Sequence, residues 1–210
     1  MIIKSFAAGP FETNVYVLGC EKTKEAAIID PSFDSLSKIA SLVEALSLKP
    51  TKILITHSHI DHIADAAAVK EFYKIPLFIH PLDKGNLMRP GSDGLPLVFP
   101  IEKTEPTGFL EEGDTVSIGE IKGIVIHTPG HTPGGICFYF PEEEVLISGD
   151  TLFQGSIGNL SFKTAEPEKM WHSLERLAAL PKATRVFPGH GSATTIGDEA
   201  WLKDAKRIFG

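Results

Sequence analysis

Cysteine is nearly absent: Cys20 and Cys137 are the only two in 210 residues. That excludes a disulfide framework and a thiolate zinc cluster, and a reducing cytoplasm is the expected location. A basic excess is also lacking, since 20 Lys and Arg stand against 27 Asp and Glu for a formal net charge of -7. Neither nucleic acid phosphates nor an anionic membrane surface would be drawn to such a chain. No run of about 18 apolar residues occurs to span a bilayer, and Met1 to Phe11 carries no apolar stretch of signal-peptide length. What is present is ordinary globular material, 42% hydrophobic and 22% charged, enough for one substantial core. One domain over 1–210 is the expectation.

Short apolar segments at Ile2–Phe6, Asn14–Leu18 and Ala26–Ile29 predict strands. Leu36, Ile39, Ala40, Val43 and Leu46 then recur at helical spacing up to Pro50, with Asp34 as the expected N-cap. A strand at Lys52–Ile55, a helix from about Ile63 to Tyr73 and a strand at Leu77–Ile79 follow. Prolines and glycines between residues 81 and 108 break any period and predict a long loop with at most one short helix. The second half predicts strands at Thr115–Ile118, Ile121–Thr128, Gly135–Phe140, Val145–Ser148 and Arg185–Phe187, a helix over Pro167–Leu180, and a short helix over Asp198–Ile208. Two sheets packed face to face with helices outside is the architecture this order implies, an α+β fold.

Chemistry concentrates directly after the strand Lys52–Ile55, in Thr56-His57-Ser58-His59-Ile60-Asp61-His62. His57 and His59, two apart, cannot share a helix face, so this segment is expected to be a turn that aims both rings at one point. A helix beginning near Asp61 would favour that carboxylate at its N-terminus. Three more donors lie in glycine turns after apolar strands: His131 in Pro129-Gly130-His131, Asp150 in Ser148-Gly149-Asp150 and His190 in Pro188-Gly189-His190. Each alone reads most simply as a structural turn residue. Together, four strand ends and seven nitrogen or oxygen donors point to metal. Five imidazoles and two carboxylates with no thiolate suit divalent Zn²⁺, Fe or Mn rather than Ca²⁺, without selecting sharply among the three. A water bound to such a metal loses a proton near neutral pH, which makes hydroxide the nucleophile.

The run His57 to His62, followed in order by His131, Asp150 and His190, resembles the full metal pattern of the metallo-β-lactamase superfamily. Thr13-Asn14-Val15-Tyr16, Ile29-Asp30-Pro31, Thr128 to Gly134 and Gly149 to Phe153 are similar in particular to its glyoxalase II branch. The resemblance implies a four-layer αββα sandwich of two mixed sheets with helices on the outer faces. It also implies that His57, His59 and His131 hold one metal, that Asp61, His62 and His190 hold the other, and that Asp150 bridges them. Asp30 would orient a ligand histidine from behind, and Asp61 would have the catalytic role. The implied activity is hydrolysis of a small thiolester. A thiolate of parent pKa about 8.5 leaves unprotonated, whereas an amine leaving group needs a proton donor that the sequence does not supply. A competing function is oxidation of sulfur compounds by a single iron, as in the similar persulfide dioxygenases, on the counterparts of His57, His131 and Asp150.

Here the sequence departs from glyoxalase II in two places. A helical C-terminal substrate domain is not expected, because 20 residues follow His190. The loop that in the family carries a glutathione-binding Lys and Tyr reads Gly158-Asn159-Leu160-Ser161, which leaves Asn159 and Lys163 as the substrate-contact candidates and predicts poor use of glutathione thiolesters. His80, His127 and His172 read as ordinary strand or helix residues, Cys137 and Phe138 as strand core, and Trp171 and Trp201 as helix packing.

Overall fold

The computed structural model describes all residues 1–210. The first sheet contains β1 (Ile2–Ala8), β2 (Thr13–Gly19), β3 (Glu25–Ile29), β4 (Lys49–Leu54), β5 (Leu77–Ile79) and β6 (Gly108–Phe109), in that spatial order. β1 to β3 are antiparallel neighbours, and β3 to β6 run parallel. The second contains β7 (Thr115–Ile118), β8 (Ile121–His127), β9 (Ile136–Phe140), β10 (Val145–Gly149), β11 (Arg185–Pro188) and β12 (Thr194–Thr195), ordered β12-β11-β10-β9-β8-β7. Here β10 and β11 are parallel and the remaining pairs antiparallel.

Strand alternation sorts side chains into layers. In β2, Tyr16 and Leu18 face the second sheet and pack with Phe138, Phe140 and Ile147, while Val15 and Val17 face outward. The outward set meets Ile39 and Val43 of α1 (Leu36–Ala45) and Ala66 and Val69 of α3 (Ala66–Tyr73). On the far side, Cys137, Leu146 and Val186 pack against Met170, Leu174 and Leu177 of α5 (Pro167–Ala178). The result is helix, sheet, sheet, helix, as the αββα expectation required.

Several local expectations are corrected. Asp34 does not cap α1; it takes a positive φ of 57°, and the carboxylate of Asp65 instead accepts from Ser35 N (2.7 Å) and Leu36 N (3.0 Å). The helix predicted through Ile63 is split into α2 (Ile60–Ile63) and α3, because Asp65 N donates to Pro31 O rather than to the turn behind it. β4 begins earlier than expected and includes Pro50, at a register shift between Ala26 and Ala27, where a missing N–H is tolerated. Residues 81–107 hold one 3₁₀ turn (Pro81–Asp83) running into α4 (Lys84–Met88). The two-residue strands β6 and β12 are too short to leave a pattern. The terminal helix is a 3₁₀ segment, Ala200–Asp204, continued by α6 (Ala205–Phe209). No helix is long and apolar enough to cross a membrane.

Candidate metal centre

β8 and β10 are both antiparallel to β9, and β11 is parallel to β10. The three strands therefore end at one rim, where His131, Asp150 and His190 follow them. β4 of the other sheet delivers its turn to the same place: Ile136 N donates to Thr56 O (2.9 Å), tying the sheets together there. Gly149 makes this approach feasible, since it takes a φ of 49° and a Cβ on it would lie 2.7 Å from Thr56 Oγ1.

All seven predicted donors meet at this rim. Three sets of donor atoms lie mutually within 4.8 Å: His57, His59 and His131; His57, His62 and Asp150; and Asp61, His62 and His190. Asp150 faces both ends of the group. Its Oδ2 is 3.4 Å from His131 Nε2, 4.0 Å from His57 Nε2 and 3.5 Å from His190 Nε2, and its Oδ1 is 3.4 Å from His62 Nε2. Asp61 Oδ2 is 3.2 Å from His190 Nε2 and accepts a 2.6 Å hydrogen bond from Thr13 Oγ1.

The hydrogen bonds behind the rings determine which nitrogen is free, because a ring N–H facing an acceptor leaves the other nitrogen with its lone pair. His62 Nδ1 donates to Asp30 Oδ2 (2.9 Å), His131 Nδ1 to Asn159 O (2.8 Å) and His190 Nδ1 to Phe11 O (3.0 Å). Thr56 Oγ1 donates to Asp30 Oδ2 (2.6 Å) and so accepts from His57 Nδ1 (3.1 Å). Four Nε2 lone pairs thus converge. His59 differs, presenting Nδ1 at 2.8 Å from His131 Nε2. His57 Nε2, His59 Nε2, His62 Nε2 and Asp150 Oδ1 are buried without any hydrogen bond. So many orphaned atoms in one place would be costly in a purely structural cluster; cations held there would satisfy the inward-facing donors.

The electrostatics agree. Burial, reinforced by the neighbouring imidazoles, drives His57 well below the ordinary histidine range and His59 to about 3, so both are neutral and lone-pair bearing. Burial opposes the charged form of Asp150 as well, yet His62 and the other histidines outweigh it and hold the carboxyl below its usual value. In His62 and His190 burial is outweighed by the carboxylates of Asp61 and Asp150, which raise both pKa values and favour positive charge at those ring nitrogens; a metal cation in the cluster would answer the same field in place of the proton.

Residues 8–190 match the family model of the metallo-beta-lactamase superfamily. The chain belongs to that superfamily. Its His/Asp cluster is thus the metal-binding centre of a fold family made up mostly of hydrolases. The probable metallo-hydrolase YqgX of Bacillus subtilis is 35% identical over 90% of this chain and 89% of its own. The hydroxyacylglutathione hydrolase of Rhodospirillum rubrum is 36% identical over 84% of this chain but only 61% of its own. Among solved structures, the B3 metallo-beta-lactamase BLEG-1 superposes with a TM-score of 0.88 at 34% identity over 100% of both chains. TTHA1623, in a di-iron-bound form, gives 0.79 at 37% identity over 94% and 96%.

Asp30 stands behind the centre, accepting from Thr56 N (2.8 Å), Thr56 Oγ1 and His62 Nδ1. Asn159 and Lys163 part company. Asn159 lines the cavity over the cluster, but its Oδ1 is engaged by Ser161 N and Oγ, and its backbone carbonyl is what orients His131. Lys163 is exposed and outside the lining, because the turn closed by Ala165 N to Phe162 O places Phe162 at the cavity instead. His80 and His127 stack on each other (4.1 Å, 13°) away from the donors.

Sequence reasoning missed Asp83 and Asn86. The buried Asp83 carboxylate accepts from Ser58 N (2.9 Å) and Gly134 N (2.6 Å), clamping the His57–His59 turn to the His131 turn. Asn86 donates to Ser58 O from the other side. No motif or period marks either residue; the one available signal was an acid beside a histidine and proline at the start of an otherwise patternless segment. Thr13-Asn14-Val15-Tyr16 acquires a physical role: Asn14 Nδ2 donates to Pro188 O and Gly191 O, and Tyr16 Oη donates to Pro188 O, which fixes the turn bearing His190.

Proposed function

We propose that this protein is a binuclear metal-dependent hydrolase of small thiolesters. In this reading His57, His59 and His131 hold one ion, Asp61, His62 and His190 the other, and Asp150 joins them. The observation that carries the binuclear part is the convergence of oriented, unpaired donor atoms in two outer sets with Asp150 facing both. Bound metal would supply a water deprotonated near neutral pH and an electrophile for the acyl oxygen. Asp61, steadied by Thr13, orients the attacking water. The water oxygen bonds to the acyl carbon, the C–S bond breaks, and the products are a carboxylate and a thiol.

The thiolester part rests on what lines the cavity. Apart from the donor residues its only polar side chain is Asn159, and it holds no Lys, Arg, Tyr, Ser or Cys. A leaving amine would find no side-chain proton donor there beyond the cluster itself, whereas a thiolate needs none. The hydroxyacylglutathione hydrolase among the relatives points the same way. The likeness to a B3 metallo-beta-lactamase supports a second reading, hydrolysis of a cyclic amide. Parallel assays on a simple thiolester, a β-lactam and O₂ uptake with a persulfide, on protein of measured metal content, separate the readings. Thiolester turnover that needs two metal equivalents is expected. Full activity with one equivalent would overturn the binuclear assignment, and dominant β-lactam or O₂ turnover the thiolester one.

A further inference from the structure

Above the donors lies a cavity of about 460 Å³, within the range of small-molecule sites. Its walls come from separate parts of the chain: Phe11 before β2, Ile60 at the start of α2, Leu95 and Val98 from the long segment after α4, and Phe153 and Phe162 from the segment after β10. Phe162 sets its ring edge-on to His59 (5.2 Å between centroids), and Phe153 stands edge-on to His190 (5.9 Å). The far wall is pinned rather than loose. Phe99, next to Val98, stacks on Phe33 (4.6 Å, 30°) and meets Phe11 edge-on (6.3 Å). At the mouth Phe11 and Val98 remain 47% and 56% exposed, apolar surface that ordinary solubility does not favour. No Lys or Arg lines the cavity walls, and the only charged or titratable side chains on it are the donor residues His59, Asp61, His131, Asp150 and His190 on its floor.

We propose that this cavity selects thiolesters whose non-reacting arm is uncharged and apolar, an aliphatic or aryl chain, and discriminates against anionic arms such as a peptide thiol. The inference rests on the thiolester reading above but concerns a different part of the substrate. An arm that leaves water for the Phe11, Val98 and Phe162 walls, away from the donors, gains with each methylene, while a carboxylate placed against those walls loses its hydration and meets no Lys or Arg.

The test uses the metal-loaded protein and two series of probes. In one, thiolesters are lengthened by one CH₂ at a time, on the acyl side with a fixed neutral thiol and then on the thiol side with a fixed acetyl group. In the other, ketones with CH₂ in place of the sulfur report binding by calorimetry without turnover. On one of the two sides, kcat/KM and ketone affinity should each rise about fourfold per methylene, equivalent to ~0.8 kcal/mol, until the cavity is filled. A terminal carboxylate should cancel that gain. V98K, at an exposed position, should raise the anionic-to-neutral ratio about 10-fold or more. Chain-length dependence flat in both series on both sides, or an anionic arm preferred by the unaltered protein, would overturn the cavity assignment and leave the hydrolase reading standing. Ketone affinities that climb with length while no thiolester is cleaved would support the cavity and overturn the activity.

Discussion

Four of the seven donors come from one turn, residues 57–62, whereas His131, Asp150 and His190 arrive singly from the ends of β8, β10 and β11. Inside the turn, adjacency in sequence sets the spacing of the donors, with Thr56 backing His57 and the first turn of α2 presenting Asp61 and His62, while Thr13, Asp30, Asp83 and Asn86 hold the turn from outside. The strand-end donors depend on sheet register and on carbonyls far away in sequence, Asn159 O for His131 and Phe11 O for His190. The donor cluster is thus built from one sequence-contiguous unit and three separately delivered pieces. The two regions should fail differently when perturbed.

Removing the metals affects both regions alike and gives the largest effect. Strong chelation should reduce hydrolysis by at least about 10³-fold and lower the unfolding midpoint, since a ligand at 1,000 times its Kd stabilises the folded state by about 4 kcal/mol. Titration of metal back into the protein, followed by activity, should need two equivalents. Next comes D61N within the turn, expected to lower kcat by roughly 10²–10⁴ with little change in KM, because the carboxylate orients water rather than substrate. A near-normal kcat in D61N would remove Asp61 from its role.

Gly189→Ala tests a strand-end piece without replacing a donor. A Cβ there would overlap Asp150 Oδ1 and lie 2.8 Å from His62 Cε1. It should push apart the Asp61–His62–His190 set and leave His57, His59 and His131 in place. Metal content by mass spectrometry should fall from two equivalents toward one, with about 10- to 100-fold weaker binding of the lost ion. Equal loss of both ions would show that the two sets are one cooperative unit, and the contrast between the regions would collapse.

How much of this was readable from the sequence follows the same division. His57 to His62 were legible because a dense, local motif has few structural explanations. His131, Asp150 and His190 were legible only through their shared setting, a glycine turn after an apolar strand, and through their sum. The sheets and α5 announced themselves by period, as with Val15 and Val17 against Tyr16 and Leu18. Asp83, Asn86 and the orienting carbonyls were not legible, since a carbonyl has no residue identity and a lone Asp in an aperiodic loop has no partner until the fold supplies one. The split between α2 and α3 escaped for a similar reason, as the partner of Asp65 N is Pro31 O, 34 positions away.

The smallest effect asks whether the 57–62 turn is mechanically independent of α1. Asp65 sits three residues beyond His62, and its carboxylate accepts from Ser35 N and Leu36 N at the start of α1. Asp65→Ala orphans both donors and should cost about 0.5–2 kcal/mol, the worth of a helix cap. For a chain of this length that is a fall of roughly 1–8 °C in the unfolding midpoint. Asp65 touches no donor side chain, and its backbone N–H to Pro31 O survives the substitution, so kcat and metal content should be unchanged when measured well below the midpoint. A loss of metal in the folded variant would mean that the α1 cap and the ligand turn are mechanically linked through the α2–α3 break. The contiguous unit would then act together with α1 and the end of β3, where Asp30 already reaches forward to Thr56 and His62.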